Sequence, residues 1–99
     1  MANRTVGPNS TFPSIASAMG VAQNGDTIVL EAGYGNETAS VTVDGLLFDG
    51  AASSTGIVLQ LSTGITSVTL LGTAPINLLD SAEANAIVAN AGDNVITVV

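Results

Sequence analysis

Two series of short apolar runs, interleaved and held in step, constrain this chain more than any other feature. One series begins at Ile28, Leu46, Val68 and Ile87, in steps of 18, 22 and 19 residues. The other begins at Val41, Val58, Ile76 and Val95, in steps of 17, 18 and 19. Each run is too short for a membrane span or a stable helix, and a turn former closes it, so each reads as a strand. Meanders and sandwiches give turn signals at similar density, but nothing in them keeps two phases together. A chain wound in coils does, because every coil lays a strand on the same faces. The expected fold is all-β: a short parallel β-helix, or solenoid, of about four coils stacked at the strand spacing of roughly 4.8 Å.

The expected strands are 27–30, 41–43, 46–48, 57–61, 68–71, 76–79, 86–88 and 95–99. Asp44-Gly45 reads as the turn between the second and third, and Asp49-Gly50 as the turn that closes them. Residues 51–55 read as a loop, and the first ten residues as polar and loop-like. Between lies the one helical pattern, residues 14–23, where Ile15, Ala18, Met19 and Ala22 make a narrow apolar stripe. Ser14 is the expected N-cap, Pro13 forces an extended approach, and Gly20 weakens the interior by about 1 kcal/mol. So short a helix needs an apolar surface beneath it. The chain is read as one domain: residues 1–26 are an arm and capping helix, residues 27–99 the coils. The scarcity of large aromatics (Phe12, Tyr34 and Phe48) suits a narrow interior. Asn77, Asn85 and Asn94 are placed to stack in polar ladders.

Composition then removes most functions. Apolar residues make up 46% and charged residues 9%, which is not the signature of a disordered acidic tail. Eight acids against Arg4 alone give a net charge of -7, so nucleic acid and anionic lipid are poor partners. The acids are spread singly and read as solvated surface and turn residues. With no Cys there is neither a disulfide framework nor a thiolate metal site. With no His or Lys either, nucleophilic triads and imidazole metal sites cannot be built. A glycoside hydrolase needs only two carboxylates, and Asp44 with Asp49 or Asp80 is the nominal pair. Turn chemistry explains Asp44 and Asp49 without catalysis, and there is no Trp to stack a sugar. No enzymatic activity is expected. Met1-Ala2-Asn3-Arg4 lacks the apolar core of a signal peptide.

Two stretches resemble known families. Phe12-Pro13-Ser14-Ile15-Ala16-Ser17-Ala18, Asn24-Gly25-Asp26-Thr27-Ile28-Val29-Leu30 and Gly33-Tyr34 resemble the opening of right-handed parallel β-helix proteins of the pectin-lyase-like superfamily. That resemblance implies a right-handed coil whose N-terminal mouth is covered by the short helix. Lyases on this fold use clustered acids with Ca²⁺ and an Arg or Lys base, whereas Arg4 lies in the leading arm. Residues 82–88 and 91–97 repeat with a step of nine and resemble degenerate RTX-like (haemolysin-type) nonapeptides of bacterial surface and secreted proteins. The family implies Ca²⁺ held by an Asp in each repeat. Here that position holds Asn85 and Asn94, with Asp80 and Asp93 nearby but out of phase, so these four are only weak metal candidates.

The shape is capped at one end and open at the other. Val95, Ile96, Thr97, Val98 and Val99 form a β-branched strand with no polar cap or gatekeeper after it, a template for pairing with another chain. The expected role is structural: a self-associating module of a larger bacterial surface or secreted repeat protein, a dimer through the open coil. The alternatives are a polysaccharide-binding module and a Ca²⁺-stabilised RTX-like folding module.

Overall fold

The protein is described by a computed structural model over residues 2–79, 86–92 and 94–97. Along the chain these form strand β1 (Asn3–Val6), helix α1 (Ile15–Met19), and strands β2 (Thr27–Leu30), β3 (Glu37–Val41), β4 (Leu46–Gly50), β5 (Ile57–Leu61), β6 (Ser67–Gly72), β7 (Asn77–Leu79), β8 (Ala86–Val88) and β9 (Ile96–Thr97). Every pairing among them is parallel. The strands sort into two sheets, in the orders β1-β2-β4-β6-β8 and β3-β5-β7-β9. From β2 onward, consecutive strands fall alternately in the two sheets, so β2–β3, β4–β5, β6–β7 and β8–β9 are successive coils of a β-solenoid. The two interleaved series of apolar runs correspond to the two sheets.

Period-2 alternation sets which side chains enter the coil. Ile28 and Leu30 of β2 are buried, while Thr27 and Val29 between them face outward. Inward residues then stack from coil to coil as register partners. Ile28, Phe48 and Leu70 form one column, and Ala39, Leu59, Leu78 and Ile96 another. Phe48 is the largest fully buried side chain. Each such burial stabilises the fold by roughly 1.5–3 kcal/mol.

The N-terminal segment is a cap rather than a loose arm. The first ten residues contain β1, which pairs with β2 at Asn3–Thr27 through Val6–Leu30. Its sequence is polar and only Val6 faces the core, so the strand exists because the edge of β2 offers bonds to it. Helix α1 takes the place of a strand in this topmost layer and lies on β3. Ile15, Ala18 and Met19 are its buried stripe, and Ala22 packs partly against the core. Ser14 caps the helix: its hydroxyl accepts from the Ser17 N–H at 3.1 Å, and Ser17 Oγ accepts from the Ser14 N–H at 3.2 Å. The helix stops at Met19 with Gly20 as C-cap, short of the expected residue 23.

Two strand expectations need correction. The strand placed at 41–43 runs over Glu37–Val41, with Ala39 and Val41 inward and polar Thr38 and Ser40 outward. Its sequence looks unlike a strand because only two of its side chains reach the core. Asp49-Gly50 is not a turn but the end of β4, in register with Leu71 and Gly72. Gly50 occupies an inward position, where an added Cβ would sit 3.0 Å from the Ala74 methyl and 3.2 Å from Leu30 Cδ1. Close packing, not a turn, requires glycine there. Gly72 beside it has φ of 73°, and a Cβ there would collide with the Gly50 carbonyl.

Candidate interaction surfaces

The last described coil is formed by β8 and β9. Among the described residues each has one hydrogen-bonded strand neighbour, β6 and β7 respectively. Ile87 and Ile96 are inward residues, in register with Val68 and Leu78, which are sealed at 0% and 2% exposure. Ile87 is only partly buried, and Ile96 is 38% exposed. Val88 and Val95 are exposed beside them. Of the five residues expected to carry self-association, Val95, Ile96 and Thr97 stand at this end, while Val98 and Val99 lie outside the described residues.

The acids are where the reading as solvated decoration fails. Asp26 accepts the Ala2 N–H at 2.8 Å, the Gln23 N–H at 2.9 Å and Arg4 Nε at 3.0 Å. Glu31 accepts the Asn9 N–H at 2.9 Å and the Ser10 hydroxyl. Glu37 holds the first two amides of α1, Ile15 at 2.8 Å and Ala16 at 3.1 Å, and accepts the Tyr34 hydroxyl. Asp44 accepts the N–H groups of Gly45, Thr66 and Ser67 at 2.8 to 2.9 Å, and Thr66 Oγ1 at 2.7 Å. Each carboxylate therefore bridges layers, to a residue 22 to 24 positions away in sequence. One coil length of spacing was the available signal, together with the lack of any acid before Asp26.

Electrostatics follow from these bonds. The Ala2 and Gln23 amides, with Arg4, hold Asp26 down to about 2 despite its burial. The Thr66 hydroxyl and amide, then the amides of Ser67 and Gly45, lower Asp44 as well. A general acid needs its carboxyl raised, so Asp44 is tuned the opposite way. Burial, and the neighbouring Glu37, push Tyr34 up to about 12.

Of the metal candidates, Asp80, Asn85 and Asp93 lie outside the described residues. Asn94 is spent on the backbone. Its amide donates to the Ile76 carbonyl at 2.9 Å and its oxygen accepts from the Asn90 N–H at 3.2 Å. Asn77 likewise accepts from the Val95 N–H at 3.2 Å, so these amides tie neighbouring coils through main chain rather than through each other. Among the described residues no three His, Cys, Asp or Glu side chains cluster. No described helix is long and apolar enough to cross a membrane.

A shallow groove of about 430 Å³ runs between α1 and β3, lined by small and hydroxylated residues such as Ala16, Gly20, Thr38 and Ser40. No aromatic ring lines it. No family model, curated protein or solved structure matches this chain.

Proposed function

We propose that this chain is a structural β-solenoid module that self-associates through its last coil and carries no active site of its own. One observation carries the reading: Ile87 and Ile96 continue core columns that are sealed one coil earlier, yet Ile87 is only partly buried and Ile96 is 38% exposed. Among the described residues β8 and β9 have one strand neighbour each, and their outer edges flank this apolar cross-section, a combination that favours another β edge. The partner is a second copy of the chain, and a dimer of like ends is the simplest closed arrangement. Lack of His, Cys and Lys supports a role without catalysis. The likeness of residues 12–34 to pectin-lyase-like openings, and of residues 82–97 to RTX-like repeats, supports a place in a larger bacterial surface or secreted protein.

Sedimentation of the intact chain and of Ile96→Lys tests the reading. The intact chain is expected to form a dimer at micromolar concentration, and the variant to be monomeric with unchanged circular dichroism. An intact chain that sediments as a monomer throughout would refute it.

A further inference from the structure

Asn24 is the one asparagine in the sequence that precedes a glycine. Asparagine is a chemically labile residue, because the nitrogen of the next residue can attack its side-chain carbonyl carbon. A following glycine has no side chain to obstruct that approach. Asn24 is also exposed, and its side-chain amide makes no hydrogen bond among the described residues. The amide rests against Gly45 of the next coil, where an added Cβ would sit 2.3 Å from Nδ2.

Two aspartates precede glycine and share the same ring-forming chemistry, with water as the leaving group. The fold disarms both. Asp44 accepts the N–H groups of Gly45, Thr66 and Ser67 and the Thr66 hydroxyl, which keep its carboxylate ionised and a poor target for attack. Asp49-Gly50 ends β4, with Gly50 buried against Leu30 and Ala74.

We infer that Asn24-Gly25 is a self-modification site, where the chain turns a neutral amide into a carboxylate with water as the only co-reactant. The Gly25 nitrogen bonds to Asn24 Cγ and the Cγ–Nδ2 bond breaks. Nδ2 leaves as ammonia, carrying the proton that the Gly25 nitrogen gives up. Water then opens the cyclic imide at either carbonyl, leaving aspartate or isoaspartate at position 24.

The corner sets the pace. The Asp26 N–H closes a turn on the Gln23 carbonyl at 3.0 Å, Gly25 has φ of 88°, and its N–H donates to the Gly45 carbonyl at 3.1 Å. These bonds must open before the Gly25 nitrogen reaches Cγ, so the folded chain reacts, but more slowly than the unfolded one. Either product sets a new acid one layer above Asp44 and two residues from Asp26. The isoaspartyl form also brings Cβ into the main chain. That lengthens the corner, and the Gly25–Gly45 hydrogen bond is lost.

The test incubates the full chain at mildly alkaline pH, folded and in urea, and follows it by intact mass and peptide mapping. A mass gain equal to water minus ammonia should appear at residue 24 as both isomers, faster in urea, and be lost in Asn24→Gln. Amide exchange at Gly25 should quicken in the isoaspartyl fraction while Leu59 keeps its protection. Three results would overturn the inference. One is no gain in the folded chain over a period in which the urea-unfolded chain converts. Another is a gain that appears first elsewhere, as at exposed Asn9 before Ser10. The third is an isoaspartyl fraction whose Gly25 exchange is unchanged. Mapping of the unaltered chain assigns the site even if Asn24→Gln fails to fold.

Discussion

Asp26, Glu31, Glu37 and Asp44 look unremarkable in sequence, each a lone acid near a turn or strand end. Their work depends on what the layer above or below presents. At Asp26 the amides of Ala2 and Gln23 hold the carboxyl near 2, against an ordinary value of 3.8. A depressed folded value means the stabilisation is complete above 3.8 and is lost as the pH falls toward about 2. Asp44 is shifted in the same direction, so its contribution vanishes in the same sense. The melting temperature should therefore begin to fall near pH 4 and drop further toward pH 2. Asp26→Asn should lower it at neutral pH and flatten part of that acid limb. An Asp26→Asn limb that overlays the unaltered one would show that the shift does not couple to folding.

At the scale of elements, α1 and β1 are both weak on their own. α1 has five residues, and β1 has one inward side chain. The helix depends on its caps from two directions, Ser14 from its own chain and Glu37 from β3. Ser14→Ala should cost about 1 kcal/mol, the usual loss for a missing N-cap hydroxyl, measured by urea unfolding. A loss well below that would mean Glu37 alone satisfies the first turn. The helical stripe and its cap were legible in the sequence, because both are local patterns of adjacent turns. β1 was not, since its polar residues carry no alternation and its pairing lies 24 positions away.

Across the whole molecule, stability is shared between neighbouring coils, as in other stacked repeats. Phe48 lies in the second coil, in register with Ile28 above and Leu70 below, so it supports two coil interfaces at once. Phe48→Ala should cost about 3–5 kcal/mol in denaturant unfolding. Loss of under 1 kcal/mol would mean that the narrow interior collapses around the cavity.

The sequence by itself determined that this chain winds, where most of its strands fall, and which side chains it lacks for chemistry. Periodicity survives in the linear order because every coil repeats the same inward positions. Only the tertiary structure decided that polar Asn3–Val6 is a strand, that Gly50 is a packing glycine, and that scattered acids are fastenings. Those roles are conferred by residues one coil away, brought within hydrogen-bonding or van der Waals reach by the stacking itself, and no neighbour in sequence announces them.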